Sequence, residues 1–209
     1  MAAGEIASNI AVNFLAKSIE HKVSGENLIE QMIAFTMAAD MQINQLTNTA
    51  GEPLRSGTTM VMVVIKDGYL RWTSVGDSKI YLIRKQEIFP LTNEHNYLFM
   101  AEQRKDDESF EFNPQVRGDA LVSYLGVGEL PYIDISEKPL KLKEGDIVVL
   151  CSDGLYRSLS EEQIKVMFLS ENQDMERAAQ MLTTAAAMNA MEEQDNTTVI
   201  TLKYMKESI

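Results

Sequence analysis

Apolar residues recur every three or four positions through GEIASNIAVNFLAKSIEHKV, with Ile6, Ile10, Phe14 and Ile19 flanked by Ala7, Ala11 and Leu15. That period puts them on one stripe of an α-helix, which is expected to be a buried face with His21 near its end on the surface or in a cap. After a break at Ser24–Gly25, either Ser24 or Asn27 can cap a second helix. It carries Leu28, Met32, Ile33, Phe35, Met37, Met41, Ile43 and Leu46 and is expected to end near Asn48. Its methionines read as core filler, because the thioether side chain adapts to irregular gaps.

From Gly57 the helical period gives way to a continuous β-branched run, TTMVMVVI. Asp67–Gly68 supplies a hairpin turn and YLRWTSVG returns as the partner strand, with Trp72 expected in the core. KIYLIRK and QEIFPL extend the meander. Residues 93–119 lose periodicity and contain the charged run EQRKDDESFE, so they are expected to form a surface insertion or flap with Asp106–Glu108 solvated. YIDIS and DIVVLCS read as further strands, the second almost uninterruptedly apolar and therefore central. SEEQIKVMFL opens a helix with Ser160 and Gln163 spaced as a capping box. DMERAAQMLTTAAAMNAM is an Ala-rich helix and TTVITLKYM a closing strand.

Helices, then consecutive short strands, a flap, a strand, helices and a strand predict an α+β fold: antiparallel sheets with helices laid on them. A chain of 209 residues suits a single domain over 1–209 with its own core. A net charge of −12 with no basic run argues against nucleic acid or an anionic membrane as partner, and favours cations. One cysteine makes no internal disulfide, and no apolar run reaches about 18 residues, so the expected location is the cytoplasm.

Three aspartates stand where strands meet turns: Asp77 in SVGDSKIY, Asp153 in LCSDGLY and Asp195 in EQDNTTVI. Taken singly, each is accounted for by turn chemistry. Brought to one rim of a sheet, three carboxylates need a counter-cation, and hard oxygen donors select Mg²⁺ or Mn²⁺ over zinc. His21 and His95 are too far apart for a zinc spacing. A competing chemistry lies in the same ten residues, VVLCSDGLYR. Cys151 and Arg157 are separated by five residues, the spacing of a phosphate loop in which a low-pKa thiolate attacks phosphate. Against that, Asp153 would place a carboxylate inside an anion-binding loop, and a cysteine ending an apolar strand is ordinarily an inert core thiol.

The blocks SGTTMVMVVI, SVGDSKIYLI, LTNEH, YLG, LKEGDIVVLCSDGLY and DNTTVI, in this order, resemble the metal-dependent protein phosphatases of the 2C type. The resemblance implies a two-layer antiparallel β-sandwich flanked by helix pairs. It also implies hydrolysis of phosphoserine or phosphothreonine by water activated at a pair of Mn²⁺ or Mg²⁺ ions. Carried over by matching motif, Asp153 and Asp195 are ligands of the metal pair and Asp77 a ligand of a third metal. Gly154 allows close backbone approach behind Asp153, Asn196 fixes the turn behind Asp195, and Ser56 to Thr59 form a structural strand start. His95, in LTNEH, is expected to pack or hydrogen-bond. The implied partners are a phosphorylated protein and, behind it, a Ser/Thr kinase.

The resemblance also implies an upstream strand with an acidic ligand and an arginine, then an Asp-Gly followed by a glycine pair; AGEIAS matches the words that come after that block. The expectation is thus an N-terminally truncated domain with an incomplete metal site, impaired hydrolysis and an exposed sheet edge open to dimer formation. Arg157 departs from the acidic residue some members carry there, which weakens a third metal site. Two other functions stay open: a non-catalytic phosphatase-like interaction or regulatory module, and a cysteine-dependent phosphatase using Cys151 and Arg157.

Overall fold

The computed structural model describes residues 4–22, 27–169, 174–189 and 195–206. Its contacts divide into two compact units, Met1–Val64, Arg71–Asp77 and Glu94–Lys138 forming the first, Ile65–Leu70, Ser78–Asn93 and Pro139–Ile209 the second.

The first unit opens with α1 (Gly4–Lys22) and α2 (Leu28–Asn44). Ala7, Ala11 and Leu15 form the buried stripe of α1, and Met32, Ala39 and Ile43 that of α2. Ile6, Met37 and Met41 are exposed instead, so the buried stripe is narrower than the run of apolar residues suggests. Asn27 is the N-cap of α2 but makes no side-chain cap bond, and α2 ends at Asn44 rather than near Asn48. Ser24 and the side chain of His21 lie outside the described residues.

These helices share a core with Met60 and Met62 of β1 (Met60–Lys66), Val75 of β2 (Tyr69–Val75), and Leu125. Thr58 and Leu125 exchange backbone hydrogen bonds of 3.1 and 2.9 Å, which seats the SGTT strand start structurally. Asp40, buried on α2, accepts from the N–H groups of Gly126 and Gly128 at 2.7 and 3.2 Å. Gly126 has φ +102 and a Cβ there would lie 2.4 Å from the Ser56 carbonyl, so only glycine fits this loop.

The second unit holds β3 (Lys79–Arg84) and β4 (Glu87–Pro90), joined by Lys85 and Gln86, both at positive φ. The 93–119 segment, in the first unit from Glu94, is not featureless: it contains α3 (Tyr97–Gln103), capped by the Asn96 side chain accepting from the Phe99 N–H. Asp106 and Glu108 of its charged run are exposed, as expected, and Asp107 between them has local partners. Ser109 and Arg104 hydrogen-bond Asp107 and hold its carboxyl down to about 2. The YIDIS strand shrinks to β5 (Asp134–Ile135), paired with Ser74 and Thr73 of β2. Trp72 is half-buried rather than core.

β6 (Leu140–Lys141) pairs with Leu70 and Tyr69 at the Asp67–Gly68 hairpin, whose φ values of 53 and 75 are the doubly left-handed pair a two-residue turn requires. β7 (Ile147–Cys151) is buried at all five positions, as its apolar run predicts. After it come α4 (Asp153–Tyr156), α5 (Glu161–Val166) with the Ser160–Gln163 capping box formed in both directions, α6 (Met175–Asn189) and β8 (Val199–Lys203). The sheet order is β4-β3-β7-β8, all antiparallel. Tyr81, Ile83, Val149 and Cys151 on one face pack with Leu155, Leu159, Ile164, Ala178 and Leu182. At the other end of β7, Asp146 accepts from Arg84 Nε and Nη2 at 2.9 and 2.6 Å and from the Lys143 N–H at 2.7 Å.

Candidate functional site

β7 and β8 are paired from Ile147↔Lys203 to Cys151↔Val199, so the segments that follow β7 and precede β8 meet at one end of the sheet. Ser152 stitches them together. Its N–H donates to the Thr198 carbonyl (3.1 Å), its Oγ donates to the Asn196 carbonyl (3.1 Å) and accepts from the Thr198 N–H (2.9 Å). Ser152 is also the N-cap of α4, which makes Asp153 the first helical residue. Across from it, the Asn196 N–H donates to Asp195 Oδ1 at 2.8 Å.

Gly154 explains how closely the two segments run. A Cβ on it would lie 2.7 Å from Thr197 Oγ1, 2.8 Å from the Asn196 carbonyl and 2.9 Å from the Asp195 carbonyl, closer than any side-chain carbon tolerates. The expected backbone approach therefore exists, and its partner is the Asp195–Thr197 segment.

Burial pushes the Asp153 carboxyl above its ordinary value; the Arg157 guanidinium works against this and the Asp195 charge adds to it. Two like charges within reach of each other, one partly desolvated, make a site that lacks positive charge. Arg157 supplies some: its Nε lies 3.2 Å from Asp153 Oδ2, with side-chain exposures of 45% and 18%.

Asp77 belongs to the first unit and is buried, only 6% exposed. It follows Gly76, whose N–H donates to His95 Nδ1 at 3.1 Å while the His95 N–H donates to the Gly76 carbonyl at 2.9 Å. His95 is thus a clamp on the Gly76–Asp77 turn, as a hydrogen-bonding role predicts. It stacks near Phe99 and Tyr132, and burial lowers its pKa. Accepting at Nδ1, the neutral ring carries its proton on Nε2.

The thiolate alternative is overturned. Cys151 is buried in β7, burial pushes its thiol up to about 12, and Arg157 is turned to Asp153. A thiol held there stays protonated at physiological pH and has no access to a phosphate.

The fold is thus α+β with two antiparallel sheets, and the segments bearing Asp153 and Asp195 meet at one end of the β7–β8 pair. The family model for protein phosphatase 2C matches residues 1–194. Protein phosphatase PhpP of Streptococcus pneumoniae is 30% identical over 175 residues, covering 81% of this chain and 68% of that protein. The solved serine/threonine phosphatase PstP/Ppp of Mycobacterium tuberculosis superposes with a TM-score of 0.79 at 23% identity, covering 98% of this chain and 84% of that one. The catalytic domain of serine threonine protein phosphatase PstP in complex with two manganese ions gives 0.76 at 24%, covering 98% and 83%. The chain belongs to the protein phosphatase 2C family, the metal-dependent protein serine/threonine phosphatases.

Proposed function

We propose that Asp153 and Asp195 hold Mn²⁺ or Mg²⁺ for hydrolysis of phosphoserine and phosphothreonine in protein substrates. The observation that carries this is the meeting of the two carboxylate-bearing segments across Gly154, with Asp153 left short of positive charge. The donor chemistry fits a hard divalent cation: two carboxylates, on segments that Gly154 allows to run in contact. When bound, such cations supply the Lewis acidity that activates water and offsets charge on phosphoryl oxygens. The chain's own part is positional. Ser152 and Gly154 hold the two segments in register, and the Asn196 N–H orients Asp195. Asp77, clamped through Gly76 by His95, is the candidate ligand of a further metal.

Among the described residues, no three His, Cys, Asp or Glu side chains gather as a metal-holding group. A two-carboxylate site binds divalent cations weakly, on the order of millimolar. Hydrolysis at a site of these two carboxylates alone is expected to be slow, and the second reading is a phosphatase-like binding module. Release of phosphate from phosphoserine and phosphothreonine peptides at millimolar Mn²⁺ tests both. Release that is lost in D153N and D195N but kept in C151S supports the enzyme; no release at any Mn²⁺ concentration supports the module.

The two units work as one phosphatase domain, the 93–119 segment shapes substrate access, and the substrates are those of a Ser/Thr kinase in the cytoplasm. No helix among the described residues is long and apolar enough to cross a membrane. Dimer formation has a candidate edge in β8, the last strand of its sheet. Ser152 N–H bonds Thr198 O and Tyr204 N–H bonds Asp146 O, so the even positions face β7 and the backbones of Val199, Thr201 and Lys203 face outward. Ile200 and Leu202 are 51% and 37% exposed on that strand. Sedimentation of wild type and T201P checks it: a dimer that the proline abolishes is the expected result.

A further inference from the structure

Asp153 and Arg157 are four residues apart across the single turn of α4, and the guanidinium lies on the same carboxylate that the metal reading assigns as a ligand. Asp153 Oδ2 has Arg157 Nε at 3.2 Å, an ion-pair contact that sets a positive charge beside the carboxylate while other lone pairs stay open. The arginine side chain is half-exposed on a long stem. It is not a bystander to the charge balance, for its field opposes both the burial of Asp153 and the Asp195 charge.

We propose that Arg157 is a built-in counter-cation whose positive charge competes with a divalent metal for Asp153, and that it thereby sets the metal affinity of the site downward. The inference rests on Asp153 being a ligand. In the metal-free chain the guanidinium holds the carboxylate charged and oriented. On metal entry its ion pair weakens and its charge repels the incoming cation. Both effects act against binding, and both vanish when the positive charge is removed. A half-exposed pair of this kind is worth a few-fold in an equilibrium, and the repulsion adds to it.

The test follows free Mn²⁺ by its electron paramagnetic resonance signal as MnCl₂ is titrated into the full 209-residue chain at low ionic strength. R157Q is expected to bind about three- to tenfold tighter than wild type. R157M, which keeps the aliphatic stem, is expected to do the same even if glutamine disturbs the helix cap. R157K retains the positive charge and is expected to titrate close to wild type. K105Q removes one exposed charge from the first unit and is expected to change nothing. Isotherms of R157Q and R157M equal to or weaker than wild type overturn the proposal, as does an equal gain in K105Q. D153N separates the two levels. If D153N titrates like wild type, Asp153 is no ligand and the inference goes with it; if D153N weakens binding while R157Q matches wild type, only the counter-cation role fails.

Discussion

The two ends of β7 each place an aspartate beside an arginine, and they use the pair in opposite ways. Asp146, before the strand, takes two hydrogen bonds from Arg84 and a third from the Lys143 backbone, and its side chain is 2% exposed. Asp153, after the strand, has a 3.2 Å ion-pair contact with a half-exposed Arg157, the backbone N–H groups of Asp153 and Gly154 beside its carboxyl, and a second carboxylate in its field. A saturated pair has no remaining lone pair to offer and serves as a clasp. An undersupplied carboxylate keeps capacity for something else. The difference lies in hydrogen-bond completeness, since the residue types are the same.

The comparison breaks most readily at the clasp. D146A leaves Arg84 without its bidentate partner and is expected to lower unfolding stability by about 3 kcal/mol, seen as a lower urea midpoint at unchanged slope. C151A, at the last position of the strand, is expected to cost about 1 kcal/mol from lost packing while phosphate release is retained. With the thiol pushed up to about 12, the thiolate fraction at pH 8 is on the order of one in ten thousand, so Ellman's reagent is expected to react only after denaturation. Q86G, near the clasp end, replaces a non-glycine residue at φ 67 and is expected to raise stability by about 0.5 kcal/mol, the strain relieved exceeding the added chain entropy. D153N is expected to change stability least, by under about 0.5 kcal/mol, because the lost ion pair and the lost repulsion offset each other. Mn²⁺ binding is where that variant departs from wild type. A D153N loss as large as that of D146A would show that the two ends are alike.

Local chemistry was legible in the sequence. The Asp67–Gly68 turn, the Ser160–Gln163 box and the uninterrupted apolar run of β7 each depend on neighbours a few residues away. β5 and β6 are two residues long because pairing with β2 defines them, and no periodicity fits in two residues. Helix α3 was hidden inside a charged segment, although Asn96 before YLFMAEQ is a capping signal. Met37 and Met41 misled because hydrophobicity alone does not say which stripe of α2 is covered. At the site, the motifs pointed to Asp153, Gly154 and Asp195, and the i,i+4 spacing of Asp153 and Arg157 was there to be read as a helical ion pair. The Arg84–Asp146 clasp was not, for its partners are 62 residues apart and only the β3–β7 register joins them.

The stitch between Ser152 and Thr198 spans 46 residues of chain. Closing such a loop costs entropy that the local β3–β4 hairpin and the short helices do not face. The segments bearing Asp153 and Asp195 meet only when β8 is paired with β7. During synthesis the segment bearing Asp195 also emerges after the one bearing Asp153. A nascent or partly folded chain can already hold its hairpin and much of its core while having no cation site at all.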